Sequence, residues 1–196
     1  SYGAQTATGS AGVGGVVCYA GSVVYLDSNA SNEEPMVYKM AHGVSAAPFG
    51  FAMQKVKTGY HQVHPTGFFM PGDLGSSDVI AQPNYNSTGA IIGTKAAPLG
   101  VAHLGVWDTV HYTCKMTAGV IDAGFHMKPG MALYPAADEA KVTNNTSNSD
   151  GSTDKATGAR CSSTQVAVVI KGASAAKAQA NINNTTLYPI RIKLLV

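Results

Sequence analysis

The sequence has few charged side chains for its length. Of its 196 residues only 12% are Asp, Glu, Lys or Arg, about half of the roughly 25% found in ordinary soluble domains. The 13 basic and 11 acidic residues leave a formal net charge of +2, too small to indicate binding to nucleic acid or to an acidic lipid surface. Two interpretations remain open: a surface covered by other subunits, or a β-rich domain with neutral polar loops.

Cysteine is scarce, and long apolar runs are missing. Cys18, Cys114 and Cys161 form no Cys-x-x-Cys pair, which argues against a zinc knuckle and a disulfide framework. We expect three reduced thiols in a cytosolic product; one disulfide with a single free thiol is the alternative. No apolar run reaches the roughly 18 residues of a transmembrane helix. The first residues show no signal peptide, although prior cleavage of one stays open.

Motifs for catalysis are also missing. The sequence contains no Gly-x-Ser-x-Gly nucleophile motif and no phosphate-binding glycine loop followed by Gly-Lys-Ser/Thr. None of the 11 carboxylates forms a catalytic-looking pair, so a hydrolase with an unrecognised carboxylate pair is kept only as an alternative. We therefore predict that the protein is not an enzyme, has no catalytic residues and needs no cofactor.

The histidines do not form a convincing metal site. His61 and His64 are the only close pair among six. Residues three apart on a strand point to opposite faces, so this pair chelates poorly. A third ligand, such as Asp73 or His111, would have to come from far along the chain. We predict no metal site.

The residues that are present favour β-structure. Short runs of β-branched and aromatic residues alternate with Gly and Pro turns, which predicts an all-β sandwich or barrel of many short antiparallel strands. The clearest strands are expected at Val106–Cys114 and Tyr188–Val196. At most one short helix is expected, at the Ala-rich stretch Ala173–Ala180. In the last strand one face should be buried, and its residues are Ile190, Ile192 and Leu194.

The chain divides by composition into an arm and a body. Residues 1–15 are mostly Gly, Ala, Ser and Thr, so they are predicted to be a flexible arm that orders only against a partner. Residues 16–196 would form the β-rich body. The polar stretch 144–160 is predicted to be a surface loop.

A short motif occurs twice, 50 positions apart. Ala46–Met53 and Ala96–His103 share five identities in eight positions. A weaker match pairs Gly67–Gly72 with Gly124–Gly130. Two related β subunits, at about 16–95 and 96–196, would explain the repeat; chance similarity in a chain rich in Ala and Gly is the alternative.

The order of these motifs resembles a known group of proteins. The Gly/Ala/Thr-rich start is followed by the phrases Pro48–Ala52 and Pro98–Ala102, then by the Val-rich strand Val106–Cys114 and by Lys128–Tyr134. Over the middle two-thirds of the chain this order of motifs resembles that of the head decoration, or cement, proteins of tailed bacteriophages. Pro129-Gly130 stands where those families have an Ala-Gly-Asp-type turn. The chain is longer than the smallest members, and the loop at 144–160 is extra.

The resemblance implies a non-enzymatic virion structural protein. Such a protein is made in the host cytoplasm, binds the outside of an icosahedral phage capsid as a decoration or cement protein, and stabilises it. Its partners would be the major capsid protein and copies of itself in a trimer, with no nucleic acid and no membrane. The flexible arm would supply capsid contacts, and its candidate residues are Ser1, Tyr2, Gln5, Thr6 and Thr8.

A second function class stays open. A glycan-binding β-sandwich of a tail fibre or adhesion protein would have the same composition. Its exposed stacking residues would be Trp107 and Tyr112. Burial of Trp107 would contradict that hypothesis.

Overall fold

Short β-strands dominate the chain, which confirms the predicted all-β class. The structure, a computed structural model, describes residues 2–4, 16–26, 36–58, 78–81, 83–85, 91–94 and 97–196. Within these residues most strands belong to two six-stranded sheets.

The first sheet has two end strands that are consecutive in the chain. In spatial order its strands are β10 (Ala97–Leu99), β1 (Tyr2–Ala4), β4 (Met36–Lys39), β3 (Val23–Leu26), β5 (Pro48–Ala52) and β11 (Val101–Ala102). Only Gly100 separates β10 from β11. One stretch of chain therefore pairs with β1 on one side and with β5 on the other, and the sheet curls into a ring of hydrogen-bonded strands.

The second sheet is built in the same way. In spatial order its strands are β12 (Gly105–Thr109), β19 (Ile190–Leu194), β18 (Ala167–Lys171), β16 (Ala132–Pro135), β17 (Val142–Thr143) and β13 (Tyr112–Thr113). Only Val110 and His111 separate the two end strands. The single strand predicted at Val106–Cys114 is thus two strands, because the chain bends at Val110 and changes partners from β19 to β17.

The remaining elements are small. They are the three-stranded sheet of β2 (Val16–Cys18), β6 (Lys55–Thr58) and β7 (Asp78–Ala81), the pairs β8 (Pro83–Tyr85) with β9 (Ile91–Thr94) and β14 (Met116–Thr117) with β15 (Val120–Ile121), and the helices α1 (Asp154–Thr157) and α2 (Ala175–Ile182). The predicted Ala-rich helix corresponds to α2. Among the described residues α2, with eight residues, is the only helix longer than one turn. The other helix, α1, has four residues and ends at Gly158, which lies in the left-handed region at φ 61°.

Two core clusters lie on opposite faces of the first sheet. Successive strand residues point to opposite faces. Val23 and Phe51 therefore belong to the larger cluster, which also contains the buried face of the second sheet. Val24 and Ala52 belong to the smaller cluster. The predicted alternation in β19 is confirmed, since its buried residues are Ile190, Ile192 and Leu194.

The structure describes three residues of the predicted arm. Tyr2–Ala4 form β1, which pairs antiparallel with β10 and parallel with β4. These three residues therefore have a neighbouring strand on each side. The pairing satisfies backbone N–H and C=O groups that would bond to water in a free arm. Residues 1 and 5–15 lie outside the described residues.

The boundary proposed between two β subunits does not separate two cores. The strands β10 and β11, from the second half, complete a sheet whose other strands come from the first half. Val23, Met40 and Phe51 share one cluster with Tyr112 and Leu133. Neither core cluster of the described residues is confined to one half of the chain.

The repeated motif brings its two copies into contact. Ala52 pairs with Val101 and Phe51 with Ala102; a shift of 50 residues maps each pair onto the other, so the copies are related by a local two-fold arrangement. A Cβ on Gly50 would lie 2.5 Å from Val101 Cγ1. The weaker copy at 67–72 lies outside the described residues.

The stretch 144–160 is more than a surface loop. Asn144 and Asn145 at its start are buried. Their side-chain amides donate to the carbonyl oxygens of Phe125 (2.6 Å) and Thr157 (2.8 Å). Buried amides need such partners, so these two residues anchor the start of the segment. Ala159 near its end is buried as well, and the exposed residues lie between these buried ends.

Candidate functional site

The outer face of the second sheet carries exposed apolar side chains at one end. Leu104, Val106 and Leu195 are 79%, 57% and 45% exposed. Gly105 pairs with Leu194 and Val106 with Lys193, so the three apolar residues lie at the same end of the β12–β19 pair. We call these three residues the apolar patch. Exposed apolar side chains grouped in this way are typical of protein-binding surfaces.

Charged residues border the apolar patch along β19. Arg191 donates two hydrogen bonds to the carboxylate of Asp108, both 2.8 Å long. These hydrogen bonds lower the pKa of Asp108 below its ordinary value. Lys193 lies between Val106 and Val168 in register. The surface therefore combines an apolar end with a polar border, as protein interfaces do.

A groove of about 280 Å³ lies beside Trp107. Trp107 is 37% exposed, and the groove is also lined by Phe51, Met53 and Val110. Tyr112 contradicts the prediction of an exposed stacking residue: it is buried, and its hydroxyl donates to the carbonyl oxygen of Tyr188 at 2.9 Å. The chain bend at Val110 turns Tyr112 into the core.

A second, polar pocket of about 520 Å³ lies where residues 42–46 face residues 148–149 and 160–163. Its lining includes His42, Arg160 and several serines. The His42 ring nitrogen Nδ1 is 2.8 Å from Ser149 Oγ, and this hydroxyl is 2.6 Å from Asp154 Oδ1. The Ser149 hydroxyl donates its one proton to the Asp154 carboxylate, so it has none to give to the imidazole. The order differs from that of a serine nucleophile, in which histidine takes the serine proton.

His111 is buried between the two sheets. Its Nε2 donates to the carbonyl oxygen of Glu139 at 3.0 Å and lies 3.1 Å from Ser22 Oγ. Burial lowers the pKa of His111 below its ordinary value, although the hydrogen bond to Glu139 opposes this shift. The hydrogen bonds to the Glu139 carbonyl oxygen and the Ser22 hydroxyl fit a neutral structural histidine better than a metal ligand.

Two of the three thiols, Cys114 and Cys161, lie in surroundings that disfavour the thiolate. Cys114 is buried and Cys161 half-buried, and no disulfide joins the three cysteines. Burial raises the pKa of Cys114 to about 12 and that of Cys161 to about 11. Because the thiolate is the reactive form, both side chains are expected to be inert at neutral pH.

Several candidate site residues predicted from the sequence lie outside the described part of the chain. These are the histidine pair His61 and His64, the alternative ligand Asp73, and the arm residues Ser1, Gln5, Thr6 and Thr8. Tyr2 lies in β1. Among the residues that are described, no three His, Cys, Asp or Glu side chains are grouped as metal ligands, and no helix has the length and apolar character needed to cross a membrane.

Comparison with known proteins gives no relative: no family model, curated protein or solved structure matches the chain.

Sequence reasoning missed the apolar patch and the polar pocket. Leu104 and Leu195 flank strands, and nothing local distinguishes Leu104 from a core residue. Arg160 and His42 are 118 positions apart, and only the fold brings their segments together. The exposed position of Leu195 could have been found from the alternation in β19, which places it on the face of Arg191 and Lys193.

Proposed function

We propose that this chain is a decoration or cement protein that binds the outside of an icosahedral phage capsid, and that the apolar patch is part of its docking surface. The observation that carries the proposal is the exposure of Leu104, Val106 and Leu195 on one face of the second sheet. The resemblance in motif order supplies the class of partner, the major capsid protein.

The low charge of the chain supports a role in assembly. A protein covered by neighbouring subunits needs fewer surface charges to stay soluble. Burying the apolar patch removes hydrophobic surface from water, at about 25 cal/mol per Å². Many copies on one lattice would reinforce one another, since a bound neighbour raises the effective concentration of the next contact.

Quantitative mass spectrometry of particles from the source tests the class of function. A copy number comparable to that of the shell protein is expected. A few copies per particle would indicate a tail or fibre component, and absence from the particles would overturn the proposal.

Substitution of the patch tests the surface. Val106→Lys should weaken binding to undecorated particles at least tenfold, because it places a charge in the buried centre of the contact. The matched control is Val120→Lys, at a 65% exposed valine on the separate β14–β15 hairpin. Equal binding by the two variants would show that the patch is not the docking surface.

Glycan binding remains the second candidate because Trp107 is partly exposed beside a groove that also contains Asp108. Sugars commonly stack on such indole faces, and a carboxylate can accept from their hydroxyls. A glycan that quenches or shifts the fluorescence of this single tryptophan in a saturable manner would favour this candidate. Unchanged fluorescence across a glycan panel would count against it.

A further inference from the structure

The polar pocket contains an arginine that is held in place by uncharged groups. Arg160 Nε donates to Asn148 Oδ1 at 3.2 Å, and the guanidinium lies 5.0 Å from the centre of the Tyr134 ring. Its backbone is fixed as well, by bridges to Ala136 and Asn148. A guanidinium has five N–H donors, so the contact to Asn148 leaves four for a ligand. Within the described ranges Arg160 forms no ion pair.

Arg191 provides a comparison, because its guanidinium is paired with a carboxylate. Arg191 makes two 2.8 Å hydrogen bonds to Asp108, the fork-to-fork geometry in which guanidinium and carboxylate match. Arg160 presents the same group in a pocket and has no such carboxylate among the described residues. A carboxylate from outside the chain is the natural complement.

The tautomer of His42 adds a second requirement for the ligand. Ser149 Oγ donates its proton to Asp154 and accepts from the Gly151 backbone N–H at 3.1 Å. Its remaining lone pair can only accept, so the His42 Nδ1 atom at 2.8 Å must carry the proton. In the neutral ring Nε2 is then a hydrogen-bond acceptor, and an acceptor is satisfied by a hydroxyl donor.

We propose that this pocket binds a hydroxylated carboxylate of the sugar-acid class. The carboxylate pairs with the Arg160 guanidinium, one hydroxyl donates to His42 Nε2, and further hydroxyls bond to Asn148 and to Ser162 or Ser163. The pocket of about 520 Å³ lies within the range of roughly 300–1,000 Å³ that is usual for small-molecule sites. The binding involves no covalent step, and it does not depend on the capsid-binding proposal.

Titration with sodium glucuronate, monitored by amide chemical shifts of the full chain, tests the site. Saturable shifts are expected in residues 42–46 and 160–163, and glucose at the same concentrations should give none. Equal shifts with glucose would overturn the requirement for a carboxylate. No saturable shift with glucuronate would overturn the site itself.

Two arginine variants of equal charge provide the control. Arg160→Gln should weaken glucuronate binding about tenfold or more, since it removes a charge-assisted hydrogen-bond pair. Arg191→Gln lowers the net charge equally but removes a guanidinium already bound to Asp108, so it should leave the affinity unchanged. Equal loss of glucuronate affinity in the two variants would show that the binding is general electrostatic attraction and would overturn the role of Arg160. If Arg160→Gln fails to fold, Arg160→Lys keeps the charge and should still bind more weakly.

A histidine variant separates the two parts of the ligand. His42→Phe removes the acceptor nitrogen, so it should weaken glucuronate binding but leave the weaker binding of propionate, which has no hydroxyl, unchanged. Loss of both ligands to the same extent would show that His42 only shapes the pocket.

Discussion

His111 shows how one residue can couple the two sheets. Its side chain contacts Ser22, which precedes β3, and the backbone of Glu139, which lies in the turn before β17. Glu139 and Ala140 both have positive φ values, 53° and 55°, which is costly for residues with a Cβ. The carbonyl oxygen of Ala140 in turn accepts from the Val23 N–H at 2.8 Å. The strained turn is therefore held by hydrogen bonds to the first sheet.

The first prediction follows from the lowered pKa of His111. The folded protein binds this proton less well than the unfolded chain, whose histidine titrates near 6.5. Stability from neutral His111 is thus fully present above about pH 6.5 and decreases as the pH falls toward the folded-state pKa, by at most about 1.4 kcal/mol per pH unit. Urea unfolding between pH 7.5 and pH 5 measures this slope.

The matched variant for this prediction is His111→Gln. It keeps a hydrogen-bond donor but does not titrate, so its free energy of unfolding should change less over the same pH range. The charged neighbours Lys141, Glu139 and Asp138 also act on this site. An identical slope in both proteins would assign the pH dependence to other groups.

At the scale of elements, the repeated Pro-x-Gly motif decides how the first sheet closes. Both copies contribute a glycine at the β5–β11 contact, but their surroundings differ. Gly50 faces Val101 and the carbonyl oxygen of Ala102, whereas Gly100 faces the end of the partly exposed Met53 side chain. The two equivalent positions therefore give a natural comparison.

The second prediction compares Gly50→Ala with Gly100→Ala. The first places a methyl group 2.5 Å from Val101 Cγ1 and 2.8 Å from the Ala102 oxygen, and should lower the free energy of unfolding by about 1–3 kcal/mol. The second meets Met53 Sδ at 3.3 Å, which can move away, so it should change stability by less than about 1 kcal/mol. Denaturant unfolding measures both, and a larger loss for Gly100→Ala would contradict the described contact.

The third prediction concerns the N-terminal strand. Removing residues 1–4 deletes β1 and opens the ring between β10 and β4. A decrease of about 1 kcal/mol in the free energy of unfolding lowers the melting temperature by about 2–4 °C in a chain of this size. A measurable decrease in melting temperature is therefore expected in a thermal scan. An unchanged melting temperature would mean that Tyr2–Ala4 contribute no stability. In that case the segment would behave as the flexible arm that its composition predicts.

For the whole molecule, the shared core makes the two halves interdependent. The larger cluster combines Val23 and Phe51 with residues of the second sheet. β10 and β11 cannot close the first sheet unless the strands from the first half are present. Cooperative unfolding is the physical consequence of such a shared core.

The fourth prediction is that the full chain unfolds in one transition and that the fragments 1–95 and 96–196 do not fold separately. The second fragment would expose the face of the larger cluster that Val23, Met40 and Phe51 cover in the intact chain. Calorimetry of the full chain and circular dichroism of each fragment are the measurements. Two independent transitions, or a folded fragment 96–196, would instead support two autonomous β subunits.

The sequence alone determined the class of fold and part of its local structure. Short β-branched runs between Gly and Pro turns led to an all-β chain, and the alternation in β19 identified Ile190, Ile192 and Leu194 as buried, because a strand exposes every second residue to the same side. The Ala-rich stretch that became α2 was also recognisable, since alanine favours helix without help from distant residues. These features depend on neighbours along the chain.

Only the tertiary structure decided which strands meet and which surfaces remain open. The bend at Val110, the ring closure at Gly100 and the meeting of His42 with Ser149 depend on contacts between residues far apart in the chain. The same reason explains why Tyr112 is buried while Leu104 is exposed, although both lie in or beside apolar strands. Hydrophobic patterning shows which face of a strand or helix is apolar. Packing against distant elements determines whether that face is buried.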